Sequence, residues 1–449
     1  MKLRPTQSLL SALLLSVLSV PAPAVATGTA PSYNRDLAWA MFRGNASAAR
    51  RIEAAMKLDP AMRKVLDASL AFDMPGVLSA AEACRDETAA RHEPRAAMGC
   101  DYRAYQAAFV MGDARDMFRT LAWAKEHGLT KIAVNHRTLT SLLQRILKTF
   151  DSVDVEKLAK SLPPLTSTMA SGEMSLAYAY PHSVQSGPMD AMTSGSTRAT
   201  EGIPAVTITI NGRQITARLD TGDPYSVEMN QATAKALGLR LLASGLAPMQ
   251  TLAHAPAKQP TSLELIDSLK LGLLEIHHVA ADVYPNGYLP APYDVFIGLP
   301  ILAHFRTVRF GADSFTMNSS LPTCTDPLPF TFASAPVEAG KPVVIGKADG
   351  KPVNVAVDTG AARLLYAFWS LHPPGANWHS GPTMRYLAVS VGGIQLSDAH
   401  TEVLPSVSPA DVAIGAPALI SLDIRFDFVK RSLCFLPHKK STKRLGYGS

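Results

Sequence analysis

The tripeptide Asp-Thr-Gly, which occurs twice in this sequence, most constrains what the chain can fold into. Its copies are Asp220–Gly222 and Asp358–Gly360, and each directly follows an alternating run rich in β-branched residues, which predicts a strand. One copy in a chain of 449 residues is a weak signal that an ordinary Asx turn after a strand would explain. Two copies in matching contexts indicate a repeated structural unit.

The segments that surround the two tripeptides contain the same parts in the same order. In the first, a hairpin with an Asn211-Gly212 turn leads into Asp220, and "DVFIGLPIL" and "VRFGADSFTM" follow further along the chain. In the second, a hairpin leads into Asp358, and "DVAIGAPAL" and "IRFDFVKRSLCF" follow. We therefore predict two similar all-β lobes, over residues 201–320 and 335–437.

With these motifs, residues 203–437 resemble the retropepsin-like aspartic proteases found among bacterial exported proteins. In that family each lobe carries Asp-Thr-Gly and, later, two apolar residues followed by glycine, which here are Phe296-Ile297-Gly298 and Ala413-Ile414-Gly415. The resemblance implies a bilobal acid-protease fold with Asp220 and Asp358 as its catalytic pair. It also implies that Thr221 and Thr359 join the two active-site loops across the lobes, supported by the adjacent Gly222 and Gly360.

The chemistry of amide hydrolysis explains why two copies are needed. Without a metal or a covalent intermediate, the reaction needs a base that takes a proton from water and an acid that protonates the carbonyl oxygen. Two carboxyl groups that share one proton supply both, because like charges within hydrogen-bond range do not both ionise. We therefore predict an aspartic endopeptidase acting on peptides or proteins; the alternative is a catalytically inactive peptide-binding or scaffold protein with the same fold.

Two further features of the first lobe bear on the active site. The turn-rich stretch "ASGLAPMQTLAHAPAKQPT" is hairpin-sized and predicts a flap over the cleft, with its tip at His254, Ala255, Pro256, Ala257 and Lys258. Asp223 follows the first tripeptide, where the family usually has a small residue. Its carboxyl group either points toward the catalytic pair and raises the pKa of that pair, or turns outward and caps the loop.

The part of the chain before the lobes differs from them in composition and periodicity. Residues 33–162 are Ala-rich with helical periodicity, loosely similar to tetratricopeptide-type repeats, and predict an all-α domain. Such a domain either packs against the lobes as a cap or binds a protein partner. Residues 163–200, rich in Ser, Gly, Thr and Pro, predict a linker.

The chain termini and the cysteines indicate an exported protein. Residues 1–26 have the basic start, apolar run and small-residue end of a signal peptide, which predicts a periplasmic or secreted protein without stable membrane insertion. The composition, 47% hydrophobic and 18% charged, is that of a globular chain. Residues 438–449 form a basic tail, for which we predict no nucleic-acid binding. In an oxidising compartment, the cysteine positions favour Cys84–Cys100 and Cys324–Cys434 disulfides, with four free thiols as the alternative.

Other polar residues give no competing site. His254, His277 and His278 lack neighbouring ligands at a recognised metal spacing, so we predict no metal and no cofactor. Since one chain carries both half-sites, we expect a monomer. The prediction as a whole is a multidomain α and β protein, with an N-terminal helical-repeat-like domain followed by two retropepsin-like β-lobes.

Overall fold

The computed structural model describes residues 35–56, 59–129, 139–179, 204–246, 261–289, 294–319, 326–333, 341–368, 371, 383–404 and 408–438. It has an N-terminal helical region followed by β-rich sheets. The predicted combination of an all-α part and all-β lobes is thus confirmed in its coarse outline.

The described part of the helical region contains eight α-helices of 7 to 18 residues. In chain order they are α1 (Arg35–Phe42), α2 (Ala46–Met56), α3 (Pro60–Leu70), α4 (Met74–Ala90), α5 (Pro94–Met111), α6 (Ala114–Glu126), α7 (Leu139–Thr149) and α8 (Val155–Ser161). Asp side chains that accept backbone N–H bonds begin four of them, at Asp59, Asp73, Asp113 and Asp154. Local sequence therefore determines where half of these helices start.

A disulfide joins α4 to α5. Cys84 and Cys100 are bonded and both fully buried, which confirms one of the two expected pairings. Cys434 is disulfide-bonded as well. Its expected partner, Cys324, lies outside the described residues.

The first lobe is built on an eight-stranded sheet. Its strand order is β1-β8-β5-β9-β4-β3-β7-β6. The strands are β1 (Thr166–Met169), β3 (Ala205–Ile210), β4 (Arg213–Asp220), β5 (Val227–Asn230), β6 (Arg240–Leu246), β7 (Thr261–Leu271), β8 (Leu274–Tyr284) and β9 (Val295–Gly298), with helices α9 (Gln231–Leu237) and α10 (Leu299–Leu302). β9 runs parallel to β4 and antiparallel to β5, so it lies between the strands that flank the first tripeptide.

The second lobe repeats this arrangement in a seven-stranded sheet, ordered β13-β14-β15-β19-β16-β18-β17. Its strands are β13 (Thr331–Ala333), β14 (Lys341–Ala348), β15 (Lys351–Asp358), β16 (Leu365–Ala367), β17 (Thr383–Val391), β18 (Ile394–Val403) and β19 (Val412–Gly415). β19 runs parallel to β15 and antiparallel to β16, as β9 does between β4 and β5. The described strands thus repeat one lobe topology.

A third, six-stranded sheet is shared by the lobes, ordered β12-β21-β20-β10-β11-β2. It contains one hairpin from each lobe, β10 (Thr307–Phe310) with β11 (Ser314–Met317), and β20 (Leu422–Asp427) with β21 (Ser432–Pro437); its edges are β2 (Met174–Ala177) and β12 (Leu328–Pro329). The two hairpins meet where β10 pairs antiparallel with β20. One apolar core runs through both lobes, including Phe310 and Phe426 from the shared sheet.

Strands also lie in two stretches that the predicted lobe boundaries leave out. The predicted linker, residues 163–200, begins with strands β1 and β2, which pair with β8 and β11. Both strands lie at sheet edges and are largely exposed, so they lack the apolar alternation by which strands are recognised. The sheet of the second lobe also starts before residue 335, at β13.

Among the described residues, no helix is long and apolar enough to cross a membrane.

Candidate active site

The two Asp-Thr-Gly tripeptides meet where the lobes face each other. β4 ends at Asp220 and β15 ends at Asp358, and each Asp lies in register with the glycine that closes the neighbouring parallel strand, Gly298 or Gly415. The loops after the tripeptides are anchored in the same way, since Leu299 and Ala416 donate backbone N–H bonds to the carbonyls of residues 223 and 361. The apolar-Gly strands therefore hold both loops from behind.

Four hydrogen bonds lock the loops together through the two threonines. The Thr221 hydroxyl donates to the Val357 carbonyl at 2.8 Å, and the Thr359 hydroxyl donates to the Leu219 carbonyl at 2.8 Å. Each threonine N–H also donates to the hydroxyl of the other threonine, at 3.0 and 3.1 Å. Both side chains are fully buried, so this reciprocal set fixes the loops against each other without competition from water.

The two aspartates face each other across the junction of the lobes, close enough for Asp220 to raise the pKa of Asp358, although burial is the larger cause. Each carboxyl also lies against the other lobe's glycine: a Cβ at Gly222 would be 2.3 Å from Cγ of Asp358, and one at Gly360 would be 1.8 Å from Oδ2 of Asp220. Within each tripeptide the glycine N–H donates to its own aspartate, at 2.8 Å to Asp220 and 3.1 Å to Asp358. Any side chain at either glycine would separate the carboxyl groups.

Burial and the neighbouring carboxylate raise the pKa of Asp358 to about 6. Burial is the larger cause, Asp220 is the second, and the cations Lys341 and Arg218 oppose both. Arg218 lies 3.8 Å from Asp220 and stacks over the ring of Phe296 at 4.7 Å. The pair therefore keeps a shared proton up to about pH 6 and releases it as pH rises further.

Asp223 caps its own loop and is nevertheless buried. Its Oδ1 accepts the backbone N–H of Tyr225 at 2.9 Å, which agrees with the capping alternative, but only 9% of the residue is exposed, so it does not turn outward. Its Oδ2 is buried without a hydrogen bond to any residue in the described part of the chain. Burial first, then Glu228 and Asp220, raises the pKa of Asp223 well above the usual range.

Further acidic groups lie behind Asp223 in the first lobe. The Tyr284 hydroxyl donates to Glu228 at 3.0 Å and is 3.3 Å from Asp282. Burial, with Glu228 as a second cause, raises the pKa of Asp282 to about 7. The strand registers assign Tyr366 and Glu402 to the matching positions in the second lobe, so the two halves of the site differ in charge.

The structure brings together all six residues expected in the catalytic pair and its supporting loops: Asp220, Thr221, Gly222, Asp358, Thr359 and Gly360. The predicted flap tip, His254–Lys258, lies outside the described residues. Sequence reasoning missed Arg218 and Glu228. A signal for Arg218 was present, since it precedes Asp220 by two residues and so lies on the same face of β4.

Nothing in the described ranges suggests a metal centre, because they hold no group of three or more His, Cys, Asp or Glu side chains placed to bind one ion. His277 lies 3.3 Å from Glu275, and the pair lies on a partly exposed stretch of β8.

The two similar β-lobes each contribute one aspartate to a facing pair. A family model described as aspartyl protease matches residues 206–301, from β3 to α10, and supports an aspartyl-protease family for this chain. The match contains Asp220 and its loop, whereas Asp358 and the helical region lie outside it. No curated protein matches the chain.

Proposed function

We propose that this chain is a retropepsin-like aspartic endopeptidase that hydrolyses peptide bonds with a water molecule activated between Asp220 and Asp358. The observation that carries the proposal is the contact of each carboxyl group with the glycine of the opposite loop, which places the two carboxyl groups side by side. A binding module has no need for such a contact, because two buried carboxyl groups in hydrogen-bond range are costly to hold together.

The proposed reaction divides the acid and base roles between the lobes. Asp220, as the carboxylate, takes a proton from water while the water oxygen attacks the carbonyl carbon, and Asp358 gives its proton to the carbonyl oxygen. Asp220 then gives its proton to the leaving nitrogen while Asp358 takes a proton from one hydroxyl of the tetrahedral diol, so the C–N bond breaks, the carboxyl product forms and the pair returns to its starting state. Because Asp358 must carry its proton and its pKa is about 6, turnover is expected to decline as pH rises through about 6.

The test is hydrolysis of a mixed peptide library by the purified chain from acidic to neutral pH, with and without a statine-type transition-state mimic. Asp220→Asn and Asp358→Asn should each lower kcat by about 10²–10⁴-fold, because each removes either the acid or the base. The matched control is Asp313→Asn, at an exposed position in the turn between β10 and β11. Near-normal turnover in either site variant would contradict a shared pair. Tight binding of the mimic without hydrolysis would favour the inactive peptide-binding alternative.

The proposed setting is export to the periplasm or the exterior, supported by the signal-like residues 1–26 and by the disulfide between Cys84 and Cys100. We propose that the substrates are peptides or proteins and that the enzyme works as a monomer. Activity per molecule should then stay constant on dilution, and a steep loss at nanomolar concentration would indicate that the pair is assembled between chains.

A further inference from the structure

The end of helix α5 contacts the loop that follows the first Asp-Thr-Gly. The Ser226 hydroxyl donates to the Val110 carbonyl at 2.8 Å, and Phe109 meets Tyr225 edge to face, with ring centroids 5.2 Å apart. The last carbonyls of a helix have no partner within the helix, and Ser226 supplies one for Val110. Ser226 is 2% exposed, so this bond is shielded from water.

The turn between α5 and α6 extends this contact onto strand β8. The Gly112 carbonyl accepts the Ala280 N–H at 2.7 Å, and Asp113 forms an isolated antiparallel bridge with Val279. Gly112 has φ +71°, and a Cβ there would lie 2.7 Å from the Val279 side chain. Leu263 and Leu265 belong to the same apolar cluster as Met117 and the rest of the helical core. The helical region is therefore docked on the first lobe, directly beside its catalytic loop.

A separate part of the helical region contacts the second lobe. In the turn between α1 and α2, Arg43 forms an ion pair with Asp411, and its carbonyl accepts from the Asn354 side chain at 2.7 Å. The Gly44 carbonyl accepts from the Thr331 hydroxyl. Asp411 is 5% exposed and immediately precedes β19, while Asn354 is on β15, the strand that ends at Asp358. These contacts hold both strands on which the second catalytic loop is built.

We propose that the helical region is a positioning element of the active site, binding both lobes and holding the two aspartate loops in register. Two carboxyl groups share a proton only within hydrogen-bond range, and displacements of about 1 Å already cost large factors in rate. A helical region bonded to the first loop and to the strands that carry the second limits such displacements. This inference rests on the proposed function for its catalytic consequence, while its structural part stands on the contacts alone. The faces around Val110 and Arg43 are thereby assigned to the protein's own lobes rather than to a partner.

The first test uses Ser226→Ala in the full-length chain, with Ser69→Ala as its matched control. Both serines are buried and donate to a helix carbonyl, but Ser69 bonds Val65 inside the helical region. Amide hydrogen exchange in peptides covering residues 219–228 should be about five- to tenfold faster in Ser226→Ala, the factor expected for one lost buried hydrogen bond. Ser226→Thr, which keeps the hydroxyl, should restore protection.

The second test uses Arg43→Met, with the exposed Arg51→Met as its control. We expect faster exchange in residues 353–360 and 410–416, again by about five- to tenfold because one charge-assisted contact is lost. Exchange in residues 219–228 should change less, since that loop is also held by α5.

Steady-state kinetics then show whether these contacts position the catalytic aspartates or contribute to substrate binding. Ser226→Ala and Arg43→Met should each lower kcat by about tenfold with KM changed by less than about twofold, since neither side chain is expected to touch substrate. If the unaltered chain hydrolyses no peptide, the proposed function fails while the exchange measurements still decide this inference. Unchanged exchange in both loops, or equal acceleration by Ser69→Ala and Ser226→Ala, would overturn it.

Discussion

At the scale of single residues, Asp223 caps the loop that follows the first Asp-Thr-Gly, although its carboxyl group is buried. Its carboxyl accepts the N–H of Tyr225, and yet burial first, and then Glu228 and Asp220, raise its pKa. A carboxyl group that stays protonated satisfies both conditions, because it keeps an acceptor oxygen and adds no charge beside the catalytic pair.

We predict that Asp223→Asn leaves the pH–rate profile unchanged, because an amide is neutral and keeps the acceptor for Tyr225. Asp223→Ala removes that acceptor and should lower the free energy of unfolding by about 1 kcal/mol, again without moving the profile. Peptidase assays across pH and chemical denaturation measure the two effects. An upper limb that moves to lower pH in both variants would show that Asp223 is ionised and raises the pKa of the pair.

Residue identities explain why the proposed catalytic pair was predictable from the sequence and the residues around it were not. Asp220 and Asp358 stand in a local motif whose chemistry requires a duplicate, so inspection of the chain finds them. Glu228 and Asp282 carry no local motif; they become neighbours because β5 and β8 pair in parallel register. Strand register depends on packing across the whole sheet, which no short stretch of sequence encodes.

At the scale of elements, the threonine interlock is where the two lobes fix each other. We predict that Thr359→Val lowers the free energy of unfolding by about 1–3 kcal/mol, because it leaves the Leu219 carbonyl and the Thr221 N–H buried without their present partner. It should also lower kcat, because the loops carry both aspartates. Thr359→Ser keeps the hydroxyl and is the control. Equal losses in Thr359→Ser and Thr359→Val would show that the methyl group, not the hydroxyl, stabilises the junction.

The flap remains a prediction from the sequence, since its tip lies outside the described residues. Strands β6 and β7, which flank the insert, pair with each other antiparallel, as expected for the base of a hairpin. Deleting residues 254–258 should raise KM or lower kcat without unfolding the chain, because mobile lids act on bound substrate. Steady-state kinetics together with a thermal melt check both parts, and unchanged kinetics would reject the flap.

Edge strands show the limit of reading elements from sequence. β1 and β2 are largely exposed, and each has one neighbour in its sheet, β8 or β11. Composition rich in Ser, Thr and Met looks like a linker when only periodicity is considered. The strand state there comes from backbone bonds offered by an existing sheet edge, so it is a tertiary effect.

At the scale of the whole molecule, buried acids make stability depend on pH. Burial raises the pKa of Asp101 and Asp282 to about 7, and of Asp113 to about 6, from an ordinary value of 3.8. The folded chain therefore keeps protons that the unfolded chain releases, so this stabilisation is present below the unfolded pKa and is lost as pH rises through the folded one.

We therefore predict that Tm is higher near pH 4 than near pH 7 and falls between them, as thermal melts across that range would measure. Asp282→Asn should flatten the fall, because an amide does not titrate, whereas the exposed Asp313→Asn should leave it unchanged. A Tm that rises from pH 4 to pH 7 would contradict the assignment of these buried carboxyl groups as protonated.

The six-stranded sheet also bears on how such a chain could arise. If the chain were divided between the lobes, β10 and β20 would each be an edge strand with unpaired N–H and carbonyl groups. Another copy of the same hairpin could pair with that edge. Two separate half-length chains could thus associate through the contact that joins the lobes here. Gene duplication and fusion would join two such half-length chains covalently, so that the lobes associate within one molecule. Each half can then change in sequence independently, as the difference between Glu228 and Tyr366 at matching positions illustrates.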